Sequence, residues 1–421
     1  MQITYLIDNL MRAGTQTVLE NLVSGLAERG FRQEVFCLNR RLEPGVVAGL
    51  EAAGARVVVL GKRQLLSGYG VGRLFAAARR SDVLQTFLPA ADIIGRTIGR
   101  LAKTPLVVTS IRARNVDKKP WQLWLDKKTM RWAHRVVFNS EAVVPFSIEN
   151  EGVRPEQVVV IPNGVQLREP PPPGSGAGSG AGGPVLAGTP VLASRPVLAS
   201  RPVLSAIVPP GAPVIGTVGR LRPQKGHAVL IEALARLHDR APRPPHRLRS
   251  RQGSGQGSGH GSGHGPGRGS GQAAHLVVIG EGELREALER QVRELGLAEQ
   301  VHFLGVRNDL PDLFATMDVY AHPALFEGMP NAVMEAMAAG TPVVATGVDG
   351  IGELIRDGET GWLVPPGDPA ALAERLLAVL DDLEAARELG AAGAKYVMEA
   401  FSVERMVEGF EGVYREGNRQ K

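Results

Sequence analysis

Three short stretches hold side chains whose types and spacing could do chemistry. The run Phe326-Glu-Gly-Met-Pro-Asn-Ala-Val-Met-Glu335 puts Glu327 in a glycine-proline loop and Glu335 on the helix predicted to follow. A carboxylate in such a loop can touch a sugar, and one two turns into the helix can accept hydrogen bonds from both hydroxyls of a ribose. Glu335 also interrupts an apolar face of Ala332, Val333, Met334, Ala336, Met337 and Ala338. An unpaired carboxylate is costly there, so its presence needs a reason. The run Gly216-Thr-Val-Gly-Arg-Leu-Arg-Pro-Gln-Lys-Gly226 sets Arg220 and Lys225 around a tight turn where a helix begins. Arginine by bidentate contact and lysine as a point charge can flank a diphosphate. The alternative is a solvated loop with two ordinary surface charges. In the loop 8–14, Gly14 lets a substrate approach the backbone amides of a helix whose first turn holds Thr15 and Thr17, or it marks a plain turn.

The elements that must position these residues alternate in type. Short β-rich apolar runs at 3–7, 34–38, 56–60, 83–86, 106–110, 135–139 and 158–161 are separated by longer segments, the first of them amphipathic over 16–28. The rhythm resumes with strands at 214–218, 275–279, 301–304, 319–322 and 342–345 and helices at 227–238, 283–295, 331–338, 369–383 and 403–414. Such βαβ alternation predicts an α/β chain with parallel sheets. At 421 residues and 44.8 kDa the chain exceeds one usual hydrophobic core. Two facing Rossmann-like domains are therefore predicted, over 1–168 and 214–400, with a cleft between the C-terminal edges of their strands. Residues 401–421 form a terminal helix that can pack back on the first domain.

Two tracts stand apart. Residues 169–213, rich in Pro, Gly, Ser and Ala, repeat a six-residue unit beginning at Pro184, Pro190, Pro196 and Pro202. A proline in every unit excludes a helix, so a disordered linker is expected. Residues 242–272 form a Gly/Ser/His-rich insertion, expected to be disordered; its histidines, His246, His260 and His264, lie among glycine repeats that fix no ligand geometry. Apolar residues make up 43%, charged residues 22% and aromatics 5%, an ordinary soluble composition that excludes fibrous and disulfide-built classes. The single cysteine, Cys37, lies in an apolar run and cannot form an internal disulfide, which points to a reducing compartment. The N-terminus reads as neither a signal peptide nor a membrane span. A net charge of +5 favours an anionic contact without naming it.

The run EGMPNAVMEAMAAGTPVVAT from Glu327 to Thr346 closely resembles the glutamate-x7-glutamate signature of family 4 glycosyltransferases, which have the GT-B fold. GRLRPQKG from Gly219 is similar to their phosphate loop, and VIGEGELR from Val278, with Glu281, to a strand-loop-helix of their second domain. VHFLG from Val301, GIGELIRDGETGWLVPPGD from Gly350, FNSEAV from Phe138 and VIPNGV from Val160 also resemble family segments. The resemblance implies a retaining hexosyltransferase that uses a nucleotide-sugar, UDP- or GDP-linked. Glu327 would contact the donor sugar, with Gly328, Met329, Pro330 and Asn331 near its hydroxyls and the diphosphate, and Glu335 would hold the ribose. Gly219, Arg220 and Lys225 would form the phosphate loop, Glu281 would belong to the donor site, and Gly14 would lie beneath the phosphates. Positive charge from Arg220 and Lys225 would replace a metal, so no metal or other cofactor is expected. The departing phosphate would take the acceptor proton in a front-face mechanism.

One departure concerns the first domain. Where the family often has a histidine reaching the sugar, this chain has Arg112, in a serine-x-arginine context. Arginine cannot act as a general base at neutral pH, but it can bind an anionic group on donor or acceptor. His134 and His322 remain acid-base candidates, His322 the better placed. From Arg112 to Arg135 basic residues are interleaved with Trp121, Trp124 and Trp132. The pattern suits an anionic membrane surface or an ordinary helix with its tryptophans in the core. On the first reading the acceptor would be polyprenyl-linked and the protein would sit on the cytoplasmic face of the inner membrane; otherwise a saccharide acceptor and a cytoplasmic location are expected. The rival functions are a nucleotide-sugar epimerase on the same fold and a non-catalytic nucleotide-binding assembly protein. No nucleic-acid module is present.

Overall fold

The computed structural model describes residues 1–61, 63–64, 67–114, 118–166, 204–240 and 273–419. The 242–272 insertion and most of the 169–213 tract lie outside the described residues.

The first half carries strands β1 (Gln2–Ile7), β2 (Arg32–Cys37), β3 (Arg56–Val59), β4 (Val83–Phe87), β5 (Leu106–Ile111), β6 (Arg135–Phe138) and β7 (Val158–Val160). Its helices are α1 (Gly14–Glu28), α2 (Pro44–Ala52), α3 (Tyr69–Arg80), α4 (Pro89–Ala102), α5 (Pro120–Met130) and α6 (Val144–Glu151). The second half carries β8 (Val214–Val218), β9 (His275–Ile279), β10 (Val301–Gly305), β11 (Val319–His322), β12 (Val343–Thr346) and β13 (Trp362–Val364). With them come α7 (His227–Arg240), α8 (Arg285–Glu294), α9 (Leu310–Thr316), α10 (Asn331–Ala338), α11 (Ile351–Leu354), α12 (Pro369–Asp381), α13 (Leu383–Ala400) and α14 (Val403–Arg419).

The strands form two sheets, ordered β3-β2-β1-β4-β5-β6-β7 and β10-β9-β8-β11-β12-β13, as two α/β domains should. Every pairing is parallel, and β1 aligns Tyr5 with Val35 on one side and with Gln85 on the other. Helices on both faces account for the unbroken apolar strands. In β1, Ile3, Tyr5 and Ile7 pack with Val18, Leu19 and Leu22 of α1, whereas Leu6 points to the opposite core with Phe36 and Leu84. The strand order reverses at β1/β4 and at β8/β11, and the connections leaving these four strands are 8–13, Leu88, 219–226 and 323–330. A reversal of this kind opens a crevice at the strand ends.

The chain crosses between domains near Val165, whose N–H donates to the Phe401 carbonyl at 2.8 Å. Helix α14 then returns to the first domain. Its Met406, Val407, Phe410, Val413 and Tyr414 share a core with α1, and Arg29 pairs with Glu411 at 2.5 Å. The disordered linker expected over 169–213 needs correction at its end. Leu204, Val208 and Ala212 are buried in the second domain's core; a single turn closed by the Val208 N–H to Leu204 carbonyl bond at 2.9 Å puts the first two on one side. Helix α13 has no counterpart in the sequence reading: Gly390 and Gly393 blur its apolar face, yet both sit where a Cβ would crowd backbone of the turns after α10 and before β13.

Candidate active site at the interdomain seam

The phosphate-loop candidate and the Glu327 loop are stitched together. Gln224 accepts through its carbonyl from Leu325 N–H at 2.8 Å, and its side-chain amide donates to the Phe326 carbonyl at 3.0 Å. Gly226 closes the 223–225 turn with φ of +65°, and a Cβ there would run into the Pro323 carbonyl. Only glycine satisfies both conditions. The result is an ion pair between Lys225 Nζ and Glu327 Oε2, two residues far apart in sequence. Arg220, on the same loop as Lys225, is exposed and has no carboxylate partner among the described residues. Burial, then neighbouring Arg222, push its guanidinium below the ordinary value.

Burial alone would raise the Glu327 carboxyl, but the Lys225 charge and a nearby His322 outweigh it and hold the group at about 2. Glu327 is therefore anionic throughout the physiological range. His322 lies with Nε2 at 3.8 Å from that carboxylate and Nδ1 at 3.1 Å from the Tyr320 hydroxyl. Burial depresses its pKa, as it does for His227, which is lowered to about 4 by burial, His322 and Lys225. Both imidazoles are neutral at pH 7. Glu335 is the opposite case: half-buried on α10, with no side-chain partner among the described residues, it is pushed up to about 7 by burial. Two acids on one loop-helix unit thus have separated titrations, a common property of functional sites.

The first domain closes over this unit. Asn163 donates through its side-chain amide to the Met329 carbonyl at 2.8 Å and to Asn331 Oδ1 at 2.7 Å. Asn331 in turn donates to the Gly14 carbonyl at 3.2 Å. A Cβ on Gly328 would collide with the Arg112 carbonyl, so glycine there permits the approach of two backbones. Asp349 accepts from Glu327 N–H at 3.0 Å and pairs with Arg114 at 2.5 Å. Glu353 accepts from Ser140 Oγ and Ala142 N–H, both at 2.8 Å.

Lys225, Glu327, Gly219 and the Gly328-Met329-Pro330-Asn331 turn therefore assemble with Gly14, and Glu335 follows on the same helix. Two further candidates have partners of their own. The Arg112 guanidinium lies over Phe87 and Phe410 at 5.8 and 5.5 Å and donates from Nη1 to Asn163 Oδ1 at 2.6 Å. That bond holds Asn163, while Arg112 Nε and Nη2 are buried without a hydrogen-bond partner among the described residues. Glu281 turns its carboxylate to Arg285 at 2.9 Å, and only its carbonyl reaches the phosphate loop, accepting from Leu221 N–H at 3.1 Å. The sequence reading missed Asn163, Asp349 and Glu353, although the first lies in the Pro162-Asn163-Gly164 turn and the others within the GIGELIRDG region or beside it.

Two facing parallel-sheet domains that meet at their switch-point loops define the GT-B class of fold. The glycosyl transferase 4-like domain matches residues 13–164 and the glycosyl transferases group 1 domain matches residues 206–396. The chain belongs to the group 1, family 4-type glycosyltransferases. It is 29% identical over 202 residues to the lipopolysaccharide core biosynthesis glycosyltransferase LpsE of Rhizobium meliloti, a match covering 48% of this chain and 49% of that one. The chain thus spans about half the length of that relative. A UDP-Gal:alpha-D-GlcNAc-diphosphoundecaprenol alpha-1,3-galactosyltransferase of Escherichia coli is 24% identical over 308 residues, 72% of this chain and 67% of the relative. Anabaena HepE, solved in complex with UDP-glucose, superposes with a TM-score of 0.77 at 21% identity, covering 99% of this chain and 100% of that one.

Proposed function

We propose that this glycosyltransferase is retaining and metal-independent and moves a hexose from a nucleotide-sugar, UDP- or GDP-linked, to a saccharide or lipid-linked acceptor in polysaccharide or glycolipid assembly. The observation that carries the reading is the Lys225–Glu327 pair joining two switch-point loops, the first of which also carries Arg220. In the proposed reaction the acceptor oxygen forms a bond to the anomeric carbon while the bond from that carbon to the diphosphate oxygen breaks. The electron pair leaves with the nucleoside diphosphate, and the acceptor proton passes to the departing phosphate. Arg220 and Lys225 stabilise the growing negative charge. Glu327, anionic and oriented by Lys225, accepts hydrogen bonds from the donor sugar, and Glu335 accepts from the ribose. The UDP-glucose bound by Anabaena HepE and the UDP-Gal in the E. coli relative's name favour UDP among the donors. That relative's diphosphoundecaprenol acceptor favours a lipid-linked one.

Among the described residues no helix is long and apolar enough to cross a membrane. We place the outer face of α5 against an anionic bilayer, because Trp121 and Trp124 are 58% and 60% exposed rather than in the core, with Lys128 over the Trp124 ring at 5.8 Å. Donor turnover across a panel of UDP-, GDP- and ADP-sugars, with EDTA present and the product anomer assigned by NMR, tests the reading. Turnover with retention, lost in Glu327→Gln, is the expected result. Turnover that EDTA abolishes, or an inverted product, overturns it.

A further inference from the structure

A second hollow lies at the opposite end of the first sheet, beside the N-terminal ends of β5 and β6 and therefore away from the interdomain seam. Its volume is about 1100 Å3, and Arg100, Lys103, Arg131, His134, Arg135 and Arg154 line it against a single carboxylate, Glu156. That carboxylate pairs with Arg154 at 3.1 Å. Among the described residues none pairs with Arg100, Lys103, Arg131 or Arg135.

These cations come from three separate places: the last turn of α4, the 131–135 connection into β6 and the 154–157 turn. Their convergence is a product of the fold: Arg131 and Arg135 end the basic run from Arg112, and Arg100, Lys103 and Arg154 join them from elements outside it. The C-terminal dipole of α4 explains a preference for cations at Arg100 and Lys103. It does not explain Arg131, Arg135 or Arg154, which belong to other elements and add like-charge repulsion to the same space. Two of them have contacts of their own: Arg135 donates to the His134 carbonyl at 3.0 Å, and the Arg131 guanidinium carbon lies over the Trp132 ring at 5.3 Å. His134 accepts the Val107 N–H on Nδ1 at 2.8 Å, so the neutral ring carries its proton on Nε2 and adds another donor. Burial, Arg135 and Arg100 lower its pKa, as expected of a ring in surroundings that are already positive.

We propose that this hollow binds the phosphate group of an anionic ligand, a second site distinct from the donor cleft. Positioned guanidinium groups without carboxylate partners match phosphate oxygens bidentately, and the volume exceeds a bare phosphate, so a larger molecule carrying one also fits. Two sources share this chemistry: the headgroup of an anionic phospholipid and a free phosphate or diphosphate.

The experiment uses the full chain without donor. Inorganic pyrophosphate is titrated by calorimetry, and phosphatidylcholine vesicles with and without phosphatidylglycerol are co-sedimented, for wild type, the exposed pair Arg100→Gln/Lys103→Gln and, as a control for the donor cleft, Arg220→Gln. We expect a binding component for at least one probe that is weakened about tenfold or more in the Arg100/Lys103 variant and retained in Arg220→Gln, separate from any pyrophosphate binding that Arg220→Gln removes from the donor cleft. Loss of vesicle binding alone identifies the headgroup as the source, and loss of pyrophosphate binding alone identifies the free anion. Should the double variant unfold, Arg131→Gln on the adjoining connection takes its place. Equal binding by wild type and pocket variants, or no binding of either probe, overturns the proposal. Neither result depends on turnover, so failure here leaves the glycosyl-transfer reading intact.

Discussion

Lys225 and Glu327 offset each other's burial, and the arrangement has a calculable acid limit. A carboxyl held at about 2 in the folded state, against an ordinary 4.5, contributes stability that is complete above pH 4.5 and lost as pH falls towards 2. Lys225→Met removes the main cause of that depression. We expect it to destabilise the protein by about 3 kcal/mol at pH 7 and to flatten the acid limb of a melting-temperature profile. A profile that superposes on wild type between pH 2 and 5 contradicts the assignment of the shift to Lys225. Glu335 is the reverse case. Its carboxyl, raised to about 7, binds its proton more tightly folded than unfolded, so its contribution declines as pH rises from 4.5 to 7. Glu335→Gln should therefore raise the melting temperature at pH 8 while weakening donor binding. In wild type, donor affinity should increase as pH rises to about 7 and then level off, because hydrogen bonds from ribose favour the ionised acid. Donor titrations at a series of pH values check this, and an equally steep rise in the Glu335→Gln variant would falsify it.

Elements matter through how closely they approach. The turn before α10 can slide beneath the Arg112 carbonyl only because residue 328 lacks a Cβ. Gly328→Ala should leave the melting temperature within a few degrees of wild type, since the clash is at a seam and not in a core. It should lower kcat/KM by roughly a hundredfold, the scale of an ångström-size misplacement of catalytic groups. Nucleotide binding, which rests mainly on the second domain in our reading, should change far less; parallel loss of both measures argues for a misfolded loop instead. Arg112 acts one step further back. Clamped by Phe87 and Phe410 and bonded to Asn163, it is a positioning residue for the turn that Asn163 grips. The motif VIPNGV was visible in the chain, but that its asparagine bridges to Met329 and Asn331 depends on a seam the linear order does not describe.

At the scale of the whole molecule, α14 ties the second domain to the first. Phe410 and Tyr414 are fully buried in the first domain's core, and the Tyr414 hydroxyl donates to Gln85 at 3.1 Å. Phe410→Ala should cost about 3–5 kcal/mol, read by urea unfolding. Because Phe410 also covers the Arg112 guanidinium, turnover should fall beyond what the unfolded fraction explains. An unchanged kcat in the folded population removes that link.

The α/β class, the two parallel sheets and the loops that hold Glu327, Lys225 and Gly14 were legible in the residues, because apolar runs of strand length and glycine-bounded turns are local signals. Glu335 was legible for a related reason: a carboxylate on an apolar helix face stands out one residue at a time. Long-range packing decided the rest. The burial of Leu204 and Val208 inside the second core depended on partners far along the chain. So did the turn of Arg112 towards Asn163 and the withdrawal of the Glu281 carboxylate to Arg285. A side chain's destination is set by which surfaces desolvate it and which partners lie within hydrogen-bond reach, and those are properties of the assembled fold.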